Sequence, residues 1–142
     1  MELKQTDIKL NQTFADKEEA IRFAGELLVE QGYVQTAYIE KMIERDALTS
    51  TFIGNQVAIP HGTEGSNELI NESGIVIIQV PEGVDFDGNE VKVVIGIAGA
   101  DGEHLDVLSN IAIVCSEEEN VAEIIHAKSA QAVIDLFEGS DL

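Results

Sequence analysis

Basic residues are scarce in this chain of 142 residues: 8 lysines and arginines stand against 27 aspartates and glutamates, a formal net charge of −19. A nucleic-acid binder must neutralise phosphates with a basic face, so that partner class is set aside, and anionic membrane surfaces are disfavoured for the same reason. Cysteine occurs once, at Cys115, which rules out an internal disulfide. Long apolar runs are missing too: the longest, such as Gly74 to Val80, fall far short of the roughly 20 residues that span a bilayer. Met1 to Leu10 has neither the basic nor the apolar region of a secretory signal, and a cytoplasmic protein is expected. Several enzyme signatures are also lacking, among them the P-loop, G-x-G-x-x-G after a strand, G-x-S-x-G and H-E-x-x-H. No internal repeat, low-complexity segment or linker breaks the chain.

What is present is a foldable core. Hydrophobic residues make up 44% of the sequence, which excludes an acidic disordered chain. The length predicts one domain over residues 1–142, burying roughly two-thirds of its unfolded surface without metal or disulfide staples. Its acidity favours a basic protein partner, since opposite fields speed encounter. An anionic substrate would need a small local set of donors.

Periodicity predicts two helices followed by strands and more helices. Asp16 and Glu19 form a capping-box pattern ahead of Ala20, Ile21, Ala24, Leu27 and Leu28, which share one helical stripe that Gly32 stops. A second helix, capped by Thr36, turns Ile39, Met42 and Ile43 inward and ends near Ala47, giving an αα-hairpin. Gln56 to Ile59 is a short strand that Pro60 must end or place on an edge. Gly74 to Val80 and Val91 to Ala98 are continuous β-branched runs, separated by a polar stretch through Gly83 and Asp87-Gly88-Asn89. Such runs read as strands covered on both faces. The covering helices follow: one capped by Asp101 with Leu105, Leu108, Ile111, Ala112 and Cys115 inward, one opened by a Ser116–Glu119 capping box, and one capped by Ser129 through Val133, Ile134 and Phe137. The expected fold is a single α/β domain, a mixed β-sheet flanked by helices on both faces.

Reactive groups in α/β folds sit where a strand runs into a turn. His61, in Ala58-Ile59-Pro60-His61-Gly62-Thr63, occupies such a place; the alternative is an ordinary turn histidine. His104 falls in the first turn of the Asp101-capped helix, where free N–H groups favour anions and oppose imidazole protonation, or serves there in capping and packing. His126, at a helix C-terminus, reads as structural. Arginine occurs only at Arg22 and Arg45. Arg45 could pair with Glu44 or Asp46 or complement the helix dipole, yet it is also the planar, permanently charged donor that a phosphoryl group would need in so acidic a chain. Cys115 reads as core, and Asp85, Asp87 and Glu117 to Glu119 as turn and solvated residues. A zinc site from His61 and His104 lacks any spacing signature, so no metal and no cofactor are expected.

In order along nearly the whole chain, Ala20 to Leu27, Gly32-Tyr33-Val34, Glu44-Arg45-Asp46, Ile59-Pro60-His61-Gly62-Thr63, Val80-Pro81-Glu82-Gly83-Val84 and Val94 to Ala98 through Glu103-His104-Leu105 resemble the enzyme IIA superfamily of the phosphoenolpyruvate-dependent sugar phosphotransferase system. The Pro-His-Gly element is common to its mannitol, fructose and nitrogen-regulatory branches. The Gly-Thr after the histidine, Gln79 to Gly83 and the Glu103-His104 pair resemble the mannitol branch. The resemblance implies an enzyme IIA type-2 phosphocarrier domain over residues 1–142. His61 would accept a phosphoryl group from the phosphohistidine of HPr and pass it to a cysteine of mannitol enzyme IIB, with His104 and Arg45 as the other active-site residues. Because the chain ends at Leu142, it would be a free-standing subunit that borrows its IIB and IIC partners. The implied alternative is a nitrogen-type or fructose-type enzyme IIA acting as a phosphorylation-state regulator.

The chemistry suits those roles. A nucleophilic imidazole must be neutral, which an ordinary histidine pKa of about 6.5 permits. A backbone carbonyl at one ring nitrogen would fix the tautomer, and the resemblance implies attack through Nε2. Transfer then needs positioning and charge stabilisation more than acid–base chemistry. Phe52, Ile53, Ile59, Val84 and Phe86 are expected either in an apolar rim around His61 or in the core.

Overall fold

A computed structural model describes residues 3–100 and 104–138, the side chains of residues 104–107 excepted. The first helix, α1 (Lys17–Glu30), begins where its cap predicts: Asp16 Oδ1 accepts from the Glu19 N–H at 2.9 Å. The Glu19 carboxylate reaches the Ala15 amide at 3.4 Å, one residue earlier than a capping box requires. The second helix, α2 (Tyr38–Leu48), starts later than expected, after Ala37, with no side-chain cap. Thr36 contributes its carbonyl to Ile39 N–H instead, and Gln35 does the same for Tyr38, so a tight backbone turn takes over the cap's work.

Five strands form one mixed sheet: β1 (Ile8–Lys9), β2 (Phe52–Gly54), β3 (Val57–Ala58), β4 (Gly74–Phe86) and β5 (Asn89–Ala98), in the spatial order β1-β4-β5-β3-β2. The pairs β1–β4 and β3–β5 are parallel, while β4–β5 and β2–β3 are antiparallel. The polar stretch between the two apolar runs is not a loop. β4 continues through it to pair with β5 as one long hairpin, closed by Asp87 and Gly88, whose φ values of 56° and 93° are those of a two-residue primed turn. Pro81 fits because the register shifts between Gln79 and Val84, a bulge in which no ladder N–H is needed.

Three further helices follow: α3 (His104–Cys115), α4 (Glu118–His126) and α5 (Ala130–Glu138). The Asp101 cap and the Leu105 side chain lie outside the described residues. On α3 the buried arc is turned toward Val114, leaving Ala112 exposed, because Ile111, Val114 and Cys115 rather than Ala112 face the sheet. Ser116 does not cap α4. Its hydroxyl donates back to the Ile113 carbonyl at 2.7 Å, and Asn55 and Asn120 donate to neighbouring carbonyls, so this polar cluster closes α3. Ser129 caps α5 as predicted, accepting from Ala132 N–H at 3.2 Å.

The period-2 alternation of the central strands divides the core. Val76, Ile78 and Val94 pack against α1 and α2, whereas Ile75, Ile77 and Ile95 pack against α3, α4 and α5. Each such buried side chain contributes about 1.5–3 kcal/mol, an upper figure for a chain that is already partly compact when unfolded. The layered arrangement matters for function because both central strands are held rigidly, and β5 is the rail on which the Pro60-His61 segment lies.

Candidate active site

β3 delivers the chain into the site. Beyond Ala58 it passes Ile59 and Pro60 and rejoins β5 at His61, which bridges Ile97 in parallel register. Pro60 cannot donate and has no need to, since its carbonyl accepts from Ile97 N–H at 2.9 Å. The His61 ring folds back so that Nδ1 lies 2.7 Å from the Ile59 carbonyl oxygen. A carbonyl only accepts, so Nδ1 carries the proton and in the neutral ring the lone pair lies on Nε2. With 7% of its surface exposed, His61 is set into the end of the sheet and is no open turn histidine.

The carbonyl that orients the ring is itself held from behind. Ile59 N–H donates to the Thr51 carbonyl at 2.9 Å. Thr51 N–H and Oγ1 donate to Asp46 Oδ1 at 3.0 and 2.7 Å. Lys17 Nζ lies 2.8 Å from Asp46 Oδ2 and forms an ion pair with it. Burial works against the Asp46 carboxylate, but Lys17 and the two Thr51 donors outweigh it and hold its pKa below the ordinary range. Asp46, in turn, raises that of Lys17.

On the other flank stands Tyr38, buried at the start of α2. Its hydroxyl accepts from Gly62 N–H at 2.8 Å and donates to the Ile97 carbonyl at 2.9 Å. Burial pushes the phenol up to about 12, with the Gly62 N–H acting in the opposite direction. Gly62 is required by space: a Cβ there would lie 2.5 Å from Tyr38 Cε1 and 2.6 Å from Ser66 Oγ. The buried Ser66 hydroxyl bonds the Thr63 carbonyl and closes the loop.

Arg45 ends α2 with Nη1 donating to the Thr49 carbonyl at 2.8 Å. Neither acidic neighbour claims it: Glu44 pairs with Lys41 at 3.2 Å and Asp46 with Lys17. Arg22, by contrast, is taken up by Glu18 and Glu40. Among the described residues, therefore, Arg45 is the arginine whose charge no carboxylate offsets. The antiparallel pairing of Phe52 with Ala58 places Thr51 beside Ile59, so the last turn of α2 is tied through Asp46 and Thr51 to the chain that enters the His61 end of the sheet. β5 finishes at that same end, and α3, described from His104 onward, follows it. The His104 side chain and its predicted cap lie outside the described residues.

The other candidates separate cleanly. His126 ends α4, where a cation suits the helix dipole. Cys115 is core, its thiol pushed up to about 11 by burial. Val84 and Phe86 are buried in the core against α1 and α2 and pair with Val91 and Asn89, at the end of β5 away from the Ile97 that His61 bridges, so they belong to the core and not to a rim around His61. Ile59 is buried, Phe52 partly so, and Ile53 is 40% exposed. Sequence reasoning did not single out Tyr38, Asp46, Thr51 or Lys17. Two signals pointed to them: an Asp in the last turn of a helix opposes the dipole, and a tyrosine among so few aromatics must find a partner for its hydroxyl if buried.

Fold and site together define an α/β protein with one tautomer-fixed imidazole set into a sheet end and, at the end of α2, an arginine that no carboxylate among the described residues offsets. The chain matches the family model described as phosphoenolpyruvate-dependent sugar phosphotransferase system, EIIA 2, over residues 1–140, and it belongs to that family. It is 57% identical over 136 residues to a mannitol-specific phosphotransferase enzyme IIA component of Bacillus subtilis, covering 95% of both chains. A counterpart of that name in Geobacillus stearothermophilus is 55% identical, with 95% of this chain and 94% of the relative covered. In three dimensions it is similar to enzyme IIAMTL in a solved complex with phosphorylated enzyme IIBMTL from Escherichia coli, with a TM-score of 0.91 and 36% identity over 97% of this chain and 98% of that one.

Proposed function

We propose that this chain is the cytoplasmic phosphocarrier of a mannitol phosphotransferase system. It takes a phosphoryl group from phosphorylated HPr onto His61 and passes it to a cysteine of mannitol enzyme IIB. The observation that supports the reading is the 2.7 Å contact between His61 Nδ1 and the Ile59 carbonyl, which leaves Nε2 as the lone-pair nitrogen of the neutral ring. The Nε2 lone pair attacks phosphorus, the P–N bond to the donor breaks, and its electron pair returns to the donor imidazole. Nδ1–H stays with Ile59 throughout. In the second transfer the cysteine thiolate attacks phosphorus and the pair returns to Nε2. Arg45 is the charged donor for the phosphoryl oxygens, and His104 supplies a hydrogen bond or, when protonated, a counter-charge. Those are the groups that such a transition state calls for, since its charge spreads over three oxygens. No cofactor or metal enters either step.

Cytoplasmic placement is supported by the family; among the described residues no helix is long and apolar enough to cross a membrane. The assay combines phosphoenolpyruvate, enzyme I and HPr with this chain. The wild-type protein should become phosphorylated and H61A should not; label accepted by H61A would sink the assignment. Adding mannitol IIB and fructose IIB in parallel should discharge the phosphoprotein onto the former. A phosphoprotein that discharges onto neither would favour a regulatory enzyme IIA.

A further inference from the structure

The Pro60-His61-Gly62 segment extends β3 along β5 as a parallel ladder, but its second rung is unusual. After Ile97 N–H closes on the Pro60 carbonyl, the regular pattern would set Gly62 N–H against the Ile97 carbonyl. The Tyr38 hydroxyl stands at that rung, accepting from Gly62 N–H at 2.8 Å and donating to the Ile97 oxygen at 2.9 Å. A helix residue thus links the chain to β5 immediately after His61. The link is held in place, for Tyr38 is 1% exposed and its ring fills the space beside Gly62 that a Cβ would need.

We propose that Tyr38 is a positioning residue for phosphoryl transfer, setting through the Gly62 amide and the Ile97 carbonyl the backbone course that aims His61 Nε2. Tyr38 does not touch the reacting atoms. Its contribution is to hold the imidazole in line, and a displacement of about 1 Å at a reacting atom is enough to slow an in-line transfer as much as a hundredfold. The Ile59 contact fixes the tautomer of the ring, and the Tyr38 rung fixes where its backbone lies. The two constraints act from opposite sides of His61. This inference rests on His61 being the phosphoryl acceptor.

The test is Y38F, which keeps the ring and removes the hydroxyl. In steady-state transfer from phosphorylated HPr, kcat should fall about tenfold to a hundredfold while KM stays within twofold, because a buried residue offers the partner nothing to bind. The 15N resonances of the His61 ring should shift in Y38F although the circular dichroism spectrum is native. An unchanged kcat, or a rise in KM at constant kcat, overturns the inference. Should Y38F not fold, G62A is read by the same assays: its Cβ drives the Tyr38 ring away, and the same selective loss of kcat is required. Failure of wild-type His61 to take the phosphoryl group would instead overturn the underlying reading, so the two failures are distinct.

Discussion

Replacing Lys17 with Met tests whether the buried carboxylate behind the site is held by charge. Lys17 Nζ lies 2.8 Å from Asp46 Oδ2 and also bonds both Asp87 oxygens at 3.0 Å, joining the start of α1 to the end of α2 and to the β4–β5 turn. The Asp46 side chain is 2% exposed and that of Lys17 28%. Breaking a fully buried pair costs about 3–5 kcal/mol, because a charge is stranded in low dielectric. An exposed pair is worth about 0–1 kcal/mol. The partial exposure of Lys17 lets water reach the stranded carboxylate, and the Thr51 donors remain, so K17M should cost about 2 kcal/mol, intermediate between those limits. At this chain length that lowers the melting temperature by about 7 °C. In a D46N background, where the side-chain oxygen still accepts from Thr51 but no charge is buried, K17M should cost under about 0.5 kcal/mol. Urea or thermal unfolding of the four proteins completes the cycle. Equal losses from K17M in both backgrounds would refute the reasoning, since the lysine would then be acting through packing or through Asp87.

How much of this was legible in the sequence depends on the range of the forces involved. The stripe of α1, its Asp16 cap and the two-sided burial of the central strands follow from local patterns of period 3.6 and 2, and all three appear in the structure. The long hairpin was misread as two runs with a break, although Asp87-Gly88 is a strong hairpin signal, because Pro81 and Gly83 interrupted the apolar pattern and only the bulge reconciles them with a strand. β2 was not anticipated at all: three residues with half-buried sides carry too little pattern. His61 could be picked out because a strand end followed by Pro-His-Gly is a local feature. What aims the ring could not. Lys17, Tyr38, Asp46 and Thr51 act through contacts set by the docking of α1 and α2 onto the sheet. For Arg45 the sequence left open whether Glu44 or Asp46 would claim it; the structure gives both carboxylates other partners.

Cys115 should resist alkylation in the native state, being 2% exposed with its thiol pushed up to about 11. Iodoacetamide at pH 8 should label it at the global unfolding rate, and fast labelling under native conditions would show that α3 opens locally. The Lys17–Asp46 pair also fixes where pH enters. Asp46 has a folded pKa below the free carboxylate's, so its stabilisation is complete above about pH 4 and disappears as pH falls through the folded value. Lys17 has a folded pKa above its free value, so its share is complete below about pH 10 and disappears as pH rises through the folded one. The stability difference between wild type and K17M should therefore be flat from about pH 5 to pH 9 and shrink at both ends. On the acid side it shrinks because a protonated Asp46 no longer strands a charge when the lysine is gone, and on the alkaline side because a neutral lysine offers nothing for the substitution to remove. A difference that persists undiminished at pH 3, with both proteins still folded, would mean that the pair is not what joins α1 to the end of α2 behind His61.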